Sequence, residues 1–203
     1  MFLGAAEVGK SSIIAQALTR TFRSEYKSTI EEKMFYHGDG FLLEVIDTSG
    51  SFNFLELMKM SILEGDVFVL VFSLTDISTF GRVQQIREDI LATRGPELPI
   101  IVVGNKTDAM IDLNYSTFVE EIVASWGCAL HTVTSHDHEQ LRHVFDDVFR
   151  CFPALYGETL HLNDLGHRPR NVEKKSKLWR SRSMRIKSSA RELKEKLLQR
   201  ILR

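Results

Sequence analysis

Gly4-Ala5-Ala6-Glu7-Val8-Gly9-Lys10-Ser11 runs without interruption into Ser12-Ile13-Ile14-Ala15-Gln16-Ala17-Leu18, and this junction decides the fold. The first eight residues fit the pattern G-x-x-x-x-G-K-[ST]. Glycines at its ends let backbone amides turn toward an oxyanion, the helix that follows adds its positive end, a lysine reaches outer phosphate oxygens and a hydroxyl meets a divalent cation. Gly4, Ala5, Ala6, Glu7, Val8, Gly9, Lys10, Ser11 and Ser12 are therefore the candidate phosphate cradle.

Three further signals lie outward along the chain. Asp47-Thr48-Ser49-Gly50 ends the apolar run Phe41-Leu42-Leu43-Glu44-Val45-Ile46. This places a carboxylate at the C-terminal edge of a strand, where open α/β sheets bind ligands. Asp47 can hold Mg²⁺ through water, and Gly50 can offer its amide to a terminal phosphate. Asn105-Lys106-Thr107-Asp108 closes a second such run, Ile100-Ile101-Val102-Val103-Gly104, and an aspartate there can accept both N–H groups on one edge of a guanine. Between these two strands and the loop, Ser28-Thr29-Ile30-Glu31 supplies the hydroxyl by which phosphate and cation can order a segment.

With those four motifs in that order, residues 1 to about 153 resemble a Ras-superfamily small GTPase. Asp47-Thr48-Ser49-Gly50 together with Ser61-Ile62-Leu63-Glu64-Gly65-Asp66-Val67-Phe68-Val69-Leu70-Val71-Phe72-Ser73-Leu74 looks most like the dexamethasone-induced Ras/Rhes group. The resemblance implies GTP/GDP and Mg²⁺ as cofactors, with Ser11, Thr29 and Asp47 as the metal set. It implies that Phe22 packs against the base, that Tyr26 and Thr29 close over the γ-phosphate, and that Asn105, Lys106 and Asp108 read guanine. Lys10, Thr29, Gly50 and Ser51 would take part in hydrolysis, and Glu31 and Glu32 would meet effector proteins at the switch regions.

The chain departs from that family in specific places. Ser51 stands where Ras members carry the glutamine that orients the attacking water, and its short hydroxyl cannot reach as a carboxamide does. Ala6 and Glu7 replace glycines, crowding an incoming arginine finger and bringing a negative charge toward the phosphates, so slow hydrolysis is expected. The base-clamping Ser-Ala-Lys loop has become Thr134-Ser135-His136. Only Met1-Phe2-Leu3 precede Gly4, so either the start is misassigned or the first strand is clipped.

Apolar runs alternating with amphipathic stretches predict strands at 2–3, 32–37, 41–47, 67–73, 99–104 and 129–134, with a hairpin turn at Gly38-Asp39-Gly40. Helices are predicted at 10–21, 54–63, 78–93, 115–126 and 138–151. Such alternation means an α/β fold: a P-loop NTPase G domain with a doubly wound, mostly parallel six-stranded sheet and helices on both faces. No run of eighteen apolar residues suggests a membrane span, and no secretory signal is visible. Cys128 and Cys151 form no disulfide or metal framework and read as reduced thiols. His131, His136, His138 and His143 lack fixed ligand spacing. Phe52 and Phe54 carry no titratable group and read as partner-contacting or packing residues.

A formal net charge of −1 hides a polarity. Residues 168–203 hold 14 Lys and Arg against 3 Glu, net +11, leaving −12 on the rest. Residues 154–203 thus form a basic extension, with an amphipathic helix expected over about 184–202, where Ile186, Ala190, Leu193, Leu197 and Ile201 fall at helical spacing. Leu178-Trp179 supplies an interfacial anchor, and the final Ile201-Leu202-Arg203 is not a prenylation box. Three readings remain for this arm: an anionic membrane surface, a calmodulin-like helix-binding partner, or a solvated or self-docking arm with nuclear import. The expectation is a cytoplasmic monomer, peripheral at the inner face of the plasma membrane, with no nucleic-acid partner. The alternative to a slow GTPase is a pseudo-GTPase scaffold tethered by the same arm.

Overall fold

Phe68-Val69-Leu70-Val71-Phe72-Ser73 is apolar at almost every position and buried throughout, as a strand covered on both faces must be. The computed structural model describes residues 1–21, 29, 31–37, 42–50, 55–109 and 112–156. Its elements in chain order are β1 (Phe2–Leu3), α1 (Lys10–Thr19), β2 (Glu31–His37), β3 (Leu42–Thr48), α2 (Leu55–Ile62), β4 (Phe68–Ser73), α3 (Ile77–Arg94), β5 (Ile100–Asn105), α4 (Leu113–Ser125), β6 (Ala129–Thr132) and α5 (His138–Tyr156). Each expected element is present, and α5 alone differs by more than two residues at an end, running on to Tyr156. The turn at 38–40 and the extension from residue 157 onward, including the expected helix at 184–202, lie outside the described residues.

The strands order as β2-β3-β1-β4-β5-β6. β2 runs antiparallel to β3, from Glu31 opposite Thr48 to His37 opposite Leu42, and all other pairs are parallel. Alternate residues of the central strands serve two cores. Phe2, Val69, Val71, Ile101 and Val103 pack with Ile14, Phe145 and Phe149 of α1 and α5. Leu3, Phe68, Leu70, Phe72, Ile100 and Val102 pack with Ile62, Phe80, Val83 and Val119 of α2, α3 and α4. The period of two along each strand is what splits one apolar run between two faces. Phe2 stacks on Phe145 at 5.7 Å between ring centres, so even the two-residue β1 is fixed by side-chain contact as well as by pairing.

Aspartates start three of the helices. Asp76 accepts from Ser78 N (3.0 Å), Asp112 from Asn114 N (2.9 Å) and Asp137 from Glu139 N (2.9 Å), each filling an amide that the first turn leaves open. α1 differs: its cap is Gly9, at φ +96°, with no side-chain hydrogen bond. Among the helix starts that are described, the one left without a side-chain acceptor is thus the one that follows the glycine-rich loop.

Candidate functional site

The parallel strands deliver Gly4, Asp47 and Asn105 to one edge of the sheet, and α1 rises from that edge. Lys10 is 6% exposed, and its Nζ donates to the carbonyls of Gly4 (3.1 Å) and Ala5 (2.7 Å), holding the loop around it. Burial pulls its ammonium down to about 8, against the opposing pull of the Asp47 carboxylate. A charge kept in so dry a place is poorly solvated until an anion arrives. Glu7 lies on the exposed rim of the loop at φ +61°, a left-handed backbone that suits the glycine it replaces and costs a side-chain-bearing residue about 1–2 kcal/mol.

Beside the lysine, three oxygen-bearing side chains from three separate segments meet. Ser11 Oγ donates to Asp47 Oδ2 (2.5 Å) and lies 3.3 Å from Thr29 Oγ1. Asp47 is 1% exposed. Two hydroxyls and a buried carboxylate are a donor set suited to a hard, oxygen-seeking cation such as Mg²⁺. Thr48, next along β3, anchors the strand end by donating to Phe2 O (2.8 Å). Gly50 follows in close contact with the phosphate loop: a Cβ there would stand 2.1 Å from Ala6 N and 2.2 Å from the Ala5 carbonyl carbon.

The residues expected to read a base gather on the other side of the loop. Asn105 is 1% exposed and committed on both sides, its Nδ2 donating to Val8 O (2.8 Å) and its Oδ1 accepting from Ser135 N (3.0 Å). It therefore ties the phosphate loop to the Thr134-Ser135-His136 loop rather than standing open. A Cβ on Gly9 would come within 2.2 Å of that same Nδ2, so the tie depends on glycine there as well. Lys106 holds a left-handed φ of +71°. Asp108 is exposed, and a hydrogen bond from the Thr134 side chain, with help from its own backbone amide, holds its carboxyl below the usual carboxylate range. An ionised, outward-facing carboxylate is what acceptance of two N–H groups requires.

Sequence reasoning missed the fasteners behind these loops. Gln140 Oε1 accepts from Thr134 N (2.9 Å), Gln16 Nε2 reaches His136 O (3.5 Å), and His138 Nδ1 lies 3.1 Å from Gln16 O. His131 pairs with Asp147 at 2.8 Å, so the histidines noted in the sequence serve separate contacts. Glu31 and Glu32, expected to face partners together, divide. Glu31 accepts from the buried Ser61 Oγ of α2 (2.6 Å), and Glu32 is exposed. Lys33 of β2 pairs with Glu64 in the turn after α2 (2.5 Å) and with Glu44 of β3 (3.0 Å). Burial alone would pull the Lys33 ammonium down, but these two carboxylates outweigh it and leave it raised. Arg94 then fastens the end of α2, donating to the carbonyls of Ile62 (3.0 Å), Leu63 (2.7 Å) and Gly65 (3.1 Å). Contacts this far apart in the chain leave no local signature. Phe22, Tyr26, Ser51, Phe52 and Phe54 lie outside the described residues.

No described helix is long and apolar enough to cross a membrane. A family model described as the Ras family matches residues 1–153. The GTP-binding protein Rhes of Mus musculus is 40% identical over 119 residues, which cover 52% of this chain and 45% of that protein; Rhes of Homo sapiens matches to the same extent. The chain thus spans about half the length of these relatives. The GTP-binding protein Di-Ras2 of Mus musculus is 28% identical over 182 residues, covering 86% of this chain and 90% of that protein.

Proposed function

The chain belongs to the Ras family, and on that premise we propose that it is a small GTPase switch. It would bind GTP or GDP with Mg²⁺, hydrolyse GTP slowly, and signal by presenting its switch segments to effector proteins. The observation that carries this reading is the meeting of Ser11, Thr29 and Asp47 beside the buried Lys10. Relatives named as GTP-binding proteins support the ligand assignment.

In this reading, the amides of residues 4–12 and the Lys10 ammonium hold the phosphates. Ser11, Thr29 and Asp47 hold Mg²⁺, which when bound neutralises phosphate charge. Gly50 offers its amide to the γ-phosphate, and Thr29 and Tyr26 close the near side. Asn105 positions the base loop, while Asp108 and Lys106, with Thr134, Ser135, His136 and Phe22, form the guanine pocket. Hydrolysis is slow because Ser51 cannot orient the water as a glutamine does, and because Glu7 brings negative charge to the rim of the loop. Those same two residues favour a second reading: a scaffold that holds nucleotide without significant turnover.

The arm at 168–203, with its net charge of +11, would attach the protein to an anionic membrane surface or to a calmodulin-like partner. The test of the switch is calorimetry of the full chain with GDP and with GTP, in Mg²⁺ and in chelator. Tight, Mg²⁺-dependent binding of both is expected, and well-folded protein that binds neither ends the proposal. Single-turnover hydrolysis separates a slow GTPase from the scaffold.

A further inference from the structure

At the end of the sheet opposite the nucleotide loops, a cavity of about 430 Å³ opens between the C-terminal half of α3, the start of β5, the turn into β6 and α5. Its polar centre is Arg87. The guanidinium lies over the Trp126 ring, 4.6 Å from the ring centre, and beside the Cys128 thiol. Arg87 Nε is buried and has no hydrogen-bond partner among the described residues. Leu91, Leu98 and Ile100 make an apolar wall. Asp147 also lines the space, but its carboxylate is already engaged by His131 (2.8 Å) and Arg150 (2.5 Å). The half-buried guanidinium, held by the Trp126 ring and the Cys128 thiol beside an apolar wall, fits a carboxylate that carries aliphatic groups.

The chain itself supplies such a group close by. Cys151 of α5 lines the cavity, and α5 continues to Tyr156, about 7.5 Å further along the helix axis. The next stretch, Gly157-Glu158-Thr159-Leu160-His161-Leu162-Asn163-Asp164-Leu165-Gly166-His167, has two carboxylates, three leucines and no Lys or Arg. It breaks sharply with the +11 arm that begins at Arg168. Asp164 lies between Leu162 and Leu165, so a carboxylate and two aliphatic groups arrive together. Eight residues of extended chain from Tyr156 reach up to about 26 Å, ample for a return to the cavity.

We infer that this cavity is the docking site for the chain's own segment 158–165, with the Asp164 carboxylate on Arg87 and the leucines on the apolar wall. The segment then fixes the point from which the basic arm leaves the domain, at the pole away from the nucleotide. Charge complementarity and the short tether favour this occupant over a separate partner, because a tethered group competes at millimolar effective concentration.

Amide hydrogen exchange on the full chain tests it. In the wild type, amides of 158–165 should exchange about tenfold or more slowly than in the free peptide. Arg87→Glu alone and Asp164→Arg alone should each remove that protection, and the two together should restore it. Leu162→Ser with Leu165→Ser should also remove it. Exchange of 158–165 at the free-peptide rate in the wild type, or protection that survives Arg87→Glu, overturns the inference. Protection of 126–130 that appears only as protein concentration rises overturns it in favour of a second copy of the chain.

Discussion

The two halves of the proposed nucleotide site are built on opposite principles. On the phosphate half, Lys10 and Asp47 are almost wholly buried and bond to backbone and hydroxyl groups within the chain. On the base half, Asp108 stands exposed and ionised, and burial is confined to Asn105 and Ser135 behind it. The buried half holds charges that are costly until a ligand compensates them, so it should govern stability and Mg²⁺ dependence. The open half loses little when empty, so it should govern which base is chosen. Asn105 bridges the two, touching Val8 on one side and Ser135 on the other.

The contrast breaks most visibly at Asp108. Replacing it with Asn exchanges a double acceptor for a mixed donor and acceptor, and two charge-assisted hydrogen bonds at about 1.5–3 kcal/mol each are lost. GDP affinity should fall about a thousandfold while xanthosine diphosphate affinity rises, and thermal stability without nucleotide should fall only by the small share that the exposed Thr134 contact contributes. Calorimetry and a melting curve check both; unchanged GDP affinity would mean that the open half does not choose the base. Next in size is Asn105→Ala, which leaves Val8 O and Ser135 N without their partner and should cost about 3 kcal/mol of stability, read by denaturant unfolding. A loss confined to guanine affinity would show that Asn105 does not bridge the halves.

The buried half has its own signature in pH. The folded Lys10 pKa, about 8, lies below the ordinary 10.5, so between those values the unfolded chain binds more protons than the folded one. Stability of the nucleotide-free protein should therefore rise with pH through that window. Lys10 contributes about 2 kcal/mol between pH 8 and pH 10, and Lys10→Met should remove that part of the slope. GDP, by returning the charge to the ammonium, should be bound with proton uptake above pH 8, seen as a dependence of binding heat on buffer ionisation enthalpy. A slope identical in Lys10→Met refutes the assignment. The smallest effect is kinetic: Ser51→Gln should raise single-turnover GTP hydrolysis about tenfold, or about 1.4 kcal/mol of barrier. No gain would place the limit at Glu7, and Glu7→Gly becomes the sharper variant.

Most of the fold could be read from the chain because its signals are local. The run from Phe68 to Ser73 declares a doubly covered strand, and Lys10-Ser11 joined to an apolar helix declares what precedes and follows it. The meeting of Ser11, Thr29 and Asp47 could be anticipated for a related reason: each sits in a short motif of its own. What the sequence hid are pairings whose partners carry no mark of one another. Glu31 looks like any charge on an edge strand until Ser61, thirty positions away, is seen to donate to it. Asn105 looks like a base reader because its motif says so, and only the fold shows both of its amide atoms turned to the protein. Arg94 ends α3 as many basic residues end helices, with nothing in its neighbourhood to announce three carbonyl oxygens of another segment.

Gly50 carries a consequence for inheritance. The space its side chain would need is filled by the backbone of Ala5 and Ala6, atoms that every residue type possesses. No substitution at position 5 or 6 can make room for a side chain at 50, so the position is closed to drift by any single compensating change. A library randomised at residue 50 and selected for a folded site should return glycine whatever accompanies it at 5 and 6.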